Sequence, residues 1–406
     1  MTYSKKLDKT MERLLLLSQE EANLRLAKIK SSLEAVQCDS ALFSENSSLY
    51  YLCGRVFAGY VFIHKDMSQP IYFIRRPVEL TGENVVYIRK PENILEHLTA
   101  NKDSVPAIER IGLELDSLAY STAMRLAGAF GGTPFGNISP ALKAARSVKT
   151  EQEINMMTRS GLKHERVYHK IPHLFKDGMS DHELEIEIEH LSRMEGCLGQ
   201  FRISGSSMEL YMGNILAGDN ADNPSPYDFA MGGAGLDPSL PVGANGTLIR
   251  KGMTVMVDMN GNFNGYMTDM TRVFALGNID PLAQKAHQCS IEICEALSAM
   301  GTPGTPARDL YEKALEIVKA ADLEDYYMGH RQHAGFIGHG VGIEINELPV
   351  IAPRSRDILA EGNTIALEPK FVIPGVGAVG IENTYVVTAT GMKSLTNAPQ
   401  EIIRFD

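Results

Sequence analysis

Apolar positions recur with two periods along this chain. Residues 11–36 repeat apolar side chains at helical spacing among many charges, which predicts a helix. Short apolar runs follow: SALFSE, YVFIHK, PIYFIRR, NVVYIRK and RIGLELD. Runs of this length, rich in β-branched and aromatic residues, predict strands. Two helical patterns, ENILEHLTANK and AYSTAMRLAGAF, alternate with them. The first part therefore reads as a small α/β domain with a mainly five-stranded sheet. GGTPFGNISP, residues 131–140, is rich in Gly, Pro and Asn and reads as a linker. The expected domains are 1–140 and 141–406.

The second part has another rhythm. Thr150 with Glu153, and Ser180 with Glu183, each form a capping-box pattern that predicts a helix start. Residues 198–250 read as strands and loops, followed by a hairpin at 254–274. Helical patterns at 281–300 and 306–321 precede a second hairpin at 364–387. Helix, helix, hairpin occurs twice, which predicts an α+β domain that is pseudo-duplicated, with one hairpin from each half lining a shared cleft.

Each hairpin carries two acids. Folding the first about Phe263/Asn264 sets Asp258 opposite Asp269, and folding the second about Gly375 sets Glu368 opposite Glu382. Asn264-Gly265 tolerates the positive φ of a tight turn. Opposed residues point to one face about 5 Å apart, and opposed like charges destabilise the pair unless a cation lies between them. His339 stands between the hairpins in the glycine-flanked stretch GHGVGIEINELP. Four carboxylates and one imidazole suit a two-metal site that makes a nucleophile from water.

Composition narrows the classes. The chain has 406 residues, 44% hydrophobic and 22% charged, ordinary for a globular protein with room for two cores. A net charge of −11 with no Lys/Arg cluster argues against nucleic acid as a partner. Cys38, Cys53, Cys197, Cys289 and Cys294 are odd in number and form no CxxC, which reads as a reducing, cytoplasmic location. The apolar run Leu14–Leu17 is too short for a signal segment or a membrane span, so no membrane association is expected. MGGAG at 231–235 reads as a loop rather than a phosphate cradle, and no GxSxG occurs. The histidines at 164, 169, 173, 182, 190, 287 and 330 read as surface or packing residues.

VDMNGNFNGYMTDMTR, GHGVGIEINELP, ALEP and GIENTYVV together resemble the pita-bread metallohydrolases: methionine aminopeptidase, aminopeptidase P, prolidase and the non-peptidase creatinase. The resemblance covers roughly 150–400. RLAKIKSSLEAVQCDSALF, YYLCG and IGLELDS resemble the creatinase/prolidase N-terminal domain. The resemblance implies a pita-bread catalytic domain behind a smaller α/β domain, and two divalent ions chosen from Mn, Co, Fe or Zn, with Mn favoured. Asp258 would chelate one ion, Asp269 and Glu382 would bridge both, and His339 and Glu368 would hold the second. A bridging water would be the nucleophile, with Glu368 or a neighbouring carboxylate moving the proton. A homodimer is implied as well.

The chain also departs from this family. Asn346 stands where its peptidases carry a second histidine, Ser225 where they carry a third, and Gly380 where proline-specific members carry arginine. Losing one oxyanion donor can cost about 2.7–4 kcal/mol of transition-state stabilisation. Candidates to fill the roles are Asn346, Ser225, Tyr227, Asp228 and His333. The expected function is hydrolysis of short peptides, at Xaa-Pro bonds. The alternatives are a creatinase-like reaction on a small non-peptide substrate and a non-catalytic binding protein on the same fold.

Overall fold

The computed structural model describes residues 17–78, 80, 82–205, 210–227 and 229–405. The chain divides into two units, 1–146 and 147–406.

The first unit is a six-stranded sheet in the order β4-β3-β2-β1-β5-β6. Its strands are β1 (Ser40–Phe43), β2 (Gly59–His64), β3 (Ile71–Ile74), β4 (Val85–Tyr87), β5 (Ile111–Leu113) and β6 (Phe135–Asn137). Helices α1 (Gln19–Ala35), α2 (Asn46–Cys53), α3 (Glu92–Ala100) and α4 (Tyr120–Ala129) accompany them. The sixth strand comes from the stretch expected to be a linker. Phe135–Asn137 pairs in parallel with Ile111–Leu113, and α5 (Ser139–Ser147) follows at once. Gly and Pro there turn the chain into a short edge strand rather than releasing it. Ser18 caps α1, its hydroxyl accepting from Glu21 N. The expected helix from residue 11 is seen from Gln19; its first residues lie outside the described part.

In the second unit both capping boxes form, at Thr150 and Ser180, and open α6 (Glu151–Tyr168) and α7 (Asp181–Met194). These helices pack Val167, Leu184 and Ile188 against Val255, Val257 and Phe274. Those residues belong to the four-stranded sheet β17-β9-β8-β7, built from β7 (Gly213–Ala217), β8 (Thr254–Asn260), β9 (Asp269–Ala275) and β17 (Ile403–Arg404). The later half repeats the plan. Helices α8 (Pro281–Met300) and α9 (Ala307–Ala320) pack Ile293, Leu297 and Leu310 against Ile365, Leu367 and Phe371. Here β10 (Gly338–Gly340), β11 (Glu347–Ile351), β12 (Thr364–Leu367), β15 (Asn383–Thr388) and β16 (Gly391–Ser394) form one sheet. β13 (Lys370–Ile373) and β14 (Gly377–Gly380) form a separate two-stranded ribbon. Paired helices covering one face of each antiparallel hairpin are what amphipathic helices and half-buried strands require. The unit is the pseudo-duplicated α+β pita-bread fold. No described helix is long and apolar enough to cross a membrane.

Candidate metal centre

The first acidic hairpin differs in register from the expectation. Asp258 pairs with Thr271, and Asp269 with Asn260. The turn is a longer loop, because Asn262 and Asn264 accept backbone N–H bonds from Gly265 and Tyr266 inside it. The slip is by two residues, an even number, so both carboxylates keep the same face. The second hairpin has the expected register. Thr364 pairs with Val386 and Lys370 with Gly380, and the same register carried across the gap sets Glu368 opposite Glu382.

Glu368 and Glu382 sit where the β12–β15 ladder ends and the β13–β14 ladder begins. That break leaves backbone groups unpaired, and α8 satisfies them. Ser290 Oγ donates to Pro369 O (2.5 Å) and accepts from Ile381 N (2.9 Å). His287 Nδ1 accepts from Gly380 N, and its Nε2 donates to Gln400 O. The buried Arg272 guanidinium donates to Glu382 O and to Asn383 Oδ1. The two glutamates are thereby freed to turn their side chains inward.

His339 lies on β10 between β11 and β12. Its flanking glycines have a steric reason: a Cβ at Gly338 would lie 2.4 Å from Ala366 O, and one at Gly340 2.1 Å from Leu348 O. The Nδ1 of His339 lies 3.1 Å from Gly340 O, leaving Nε2 directed at Glu368 Oε1 (3.3 Å) and Asp269 Oδ2 (3.9 Å). A backbone carbonyl on one imidazole nitrogen and an inward-facing second nitrogen is how metal-ligating histidines are held.

All five side chains line one cleft of about 200 Å³. Its walls are largely apolar, with Phe201, Ile203, Leu210, Phe229, Phe336 and Ile345. Among the described residues, two groups could hold an ion: Asp269, His339 and Glu382, and Asp258, Glu368 and Glu382. The electrostatics are those of a cation site. Burial pushes Asp269 well above the usual carboxylate range, and Glu382, Asp258 and Glu368 add to it. Burial and the neighbouring carboxylates likewise hold Glu382 at about 8, although Lys370 opposes them. Burial would lower the pKa of His339, yet Glu368 and Glu382 raise it to about 9. Burial would raise that of Glu368, but Lys370 and His339 bring it to about 2. Glu382 Oε1 is buried without a hydrogen-bond partner among the described residues, and its Oε2 accepts from Thr271 Oγ1. An orphaned carboxylate oxygen beside an inward imidazole fits a divalent ion in the first group.

The second group is different. Lys370, fully buried, places Nζ 2.7 Å from Asp258 Oδ2, 2.8 Å from Glu368 Oε2 and 3.2 Å from Glu382 Oε2. Sequence reasoning missed this residue. The available signal was position: Lys370 lies two residues after Glu368, hence on the same face of an extended chain, opposite a glycine.

The other catalytic candidates are placed as follows. Asn346 lines the cleft, but its amide is committed to Ser204, accepting from the backbone N (2.7 Å) and donating to the backbone O (2.8 Å). Ser225 and His333 do not join the five; they line a neighbouring cavity with Tyr227. The Ser225 hydroxyl donates to Pro241 O, and His333 Nδ1 pairs with Tyr327 O, so local backbone claims both groups. Asp228 lies outside the described residues.

The metallopeptidase family M24 model matches residues 155–389. The chain belongs to this family. Residues 25–148 match the creatinase/prolidase N-terminal domain. An Xaa-Pro dipeptidase of Pyrococcus furiosus is 25% identical over 386 residues, covering 93% of this chain and 99% of that one. Among solved structures, the prolidase of Pyrococcus horikoshii OT3 superposes with a TM-score of 0.74 at 21% identity, covering 93% of this chain and 99% of its own. An Xaa-Pro dipeptidase from Bacillus anthracis reaches 0.78 at 22% identity, covering 94% and 99%. M24 membership makes this chain one of a divalent-metal enzyme family. The position of the family's arginine is closed in this member. Gly380 has φ +131, and a Cβ there would lie 2.7 Å from Pro369 O and 3.0 Å from Lys370 Cα.

Proposed function

We propose that this chain is a divalent-metal-dependent peptidase acting on short peptides at Xaa-Pro bonds. The observation that carries the reading is the convergence of Asp258, Asp269, His339, Glu368 and Glu382 beneath an apolar cleft. The bound metal supplies Lewis acidity and lowers the pKa of a coordinated water. Asp269, His339 and Glu382 are the residues that would hold it, with Glu368 beside them. A donor set dominated by carboxylates favours manganese. Glu368 faces both the cleft and Lys370, and is the group to accept and return the proton. Its Oε1 lies 3.3 Å from His339 Nε2, the nitrogen that would hold the metal, so the base would stand beside the water it deprotonates. Phe201, Phe229 and Phe336 exclude water and offer a surface to a proline ring. Five buried, unpaired cysteines support a cytoplasmic setting, and the resemblance to prolidase supports a homodimer. Gly-Pro and Ala-Pro-Ala hydrolysis, followed with added Mn²⁺ or Co²⁺, tests the reading. Fully metallated protein that cleaves neither peptide, nor other short peptides, would retire it.

A second reading has its own support. Among the described residues lining the cleft, His339 is the one imidazole, and the Asn346 amide is already bound to Ser204. A site with so few free donors for a peptide oxyanion suits a creatinase-like reaction on a small non-peptide molecule. Turnover of amidino or cyclic amide compounds without peptide cleavage would favour it.

A further inference from the structure

We infer that the Lys370 ammonium is a built-in replacement for one of two metal ions, so that this centre takes a single divalent ion, held by Asp269, His339 and Glu382. The inference rests on the metal-dependent reading above and goes beyond it in the number and place of the ions.

Lysine is almost never fully buried unless its charge is paired. Lys370 meets that condition with Asp258, Glu368 and Glu382, one for each N–H of its ammonium. These are the same three carboxylates that make up one of the two metal-competent groups. An ion in that group would need oxygens about 2.0–2.2 Å away, in the space the ammonium fills, and its charge would repel the ammonium. The lysine is also built into the strand pairing. Lys370 is the direct partner of Gly380, where the backbone has no room for a side chain. The other group remains open. Glu382 Oε1 has no hydrogen-bond partner among the described residues, and Nε2 of His339 faces inward beside Asp269. Lys370 spends its donors on these carboxylates, so it is a positioning residue. It neutralises part of the acidic cluster and fixes the Asp258, Glu368 and Glu382 carboxylates in place.

Counting ions tests this directly. Purified protein is stripped with chelator, equilibrated with excess Mn²⁺, dialysed and assayed for bound manganese per chain. The wild type should saturate at one ion and give an electron paramagnetic resonance spectrum of isolated Mn²⁺. Lys370→Ala and Lys370→Gly, purified in the presence of Mn²⁺ and checked by circular dichroism and gel filtration, should take two and show an exchange-coupled spectrum. Two ions in the wild type would overturn the inference. So would a single ion in a folded variant. Should neither variant fold, the wild-type count alone decides, one ion supporting and two overturning. Zero ions in the wild type would remove this inference and the metal-dependent reading together. One ion without any Xaa-Pro cleavage would remove only the peptidase assignment.

Discussion

The centre is built from side chains whose neighbours hold them in unfavourable charge states. Asp269 is the clearest case, buried among three other carboxylates with its pKa pushed well up by burial first and by those charges next. Asp269→Asn removes a buried charge and keeps the shape. It is expected to weaken Mn²⁺ binding by more than the roughly 10–100-fold that loss of a supporting group costs, and to abolish hydrolysis. The metal-free variant should melt no lower than the metal-free wild type, because repulsion has been relieved; titration calorimetry and thermal melts check both parts. Asn346 calls for a different expectation. Its two bonds to Ser204 hold the segment that carries Phe201 and Ile203 into the cleft. Asn346→Ala should therefore raise KM more than it lowers kcat, and steady-state kinetics on a cleaved peptide would expose the opposite pattern. From the sequence, Asn346 is visible only as the absence of a histidine. Its real commitment, to a backbone 142 positions away, is not written in any local pattern.

Elements explain why the acids can point inward. The break between the β12–β15 and β13–β14 ladders would strand polar backbone groups, and Ser290 on α8 satisfies two of them. Ser290→Ala leaves a buried carbonyl and a buried N–H unpaired, at about 1–3 kcal/mol for each group left unsatisfied. Urea unfolding of the metal-free protein should show a loss of about 2–6 kcal/mol for the two groups together; a change within error would mean the break is satisfied otherwise. Gly380→Arg, which restores the family's arginine, should lower stability as well, since its Cβ would strike Pro369 O and the backbone would hold a positive φ. The strand periods, the two capping boxes and the face of each acid were legible in the chain, because they depend on neighbours two to four residues apart. The loop of the first hairpin was not, since Asn262 and Asn264 could equally have flanked a tight turn. The sixth strand of the first unit was missed for a related reason: three residues of edge strand carry too little pattern to outweigh Gly and Pro nearby.

At the scale of the molecule, stability is tied to buried imidazoles. Burial lowers the pKa of His164 to about 3 and that of His287 to about 4. Their pKa returns to about 6.5 on unfolding, so above that pH neither group contributes a pH dependence. Below it the unfolded chain binds protons the folded one refuses, and stability falls by up to about 1.36 kcal/mol per pH unit for each histidine. The loss should run from about pH 6.5 down towards the folded values. His164→Gln should remove one proton's share of that slope between pH 6.5 and 5, as read from urea midpoints; an unchanged slope would show that His164 titrates normally. The sequence alone determined which residue types could meet, the faces they occupy, the repeated helix–helix–hairpin plan and the family. Those follow from short-range periodicity and from ordered motifs, which any folded arrangement must respect. Only the tertiary structure decided that Lys370 stands among the carboxylates, that Ser225 and His333 are claimed elsewhere, and that α8 repairs the broken ladder. These outcomes depend on partners brought together from distant parts of the chain, such as Ser290 and Pro369, 79 positions apart. A hydrogen bond or an ion pair of that kind exists only once packing has set the distance.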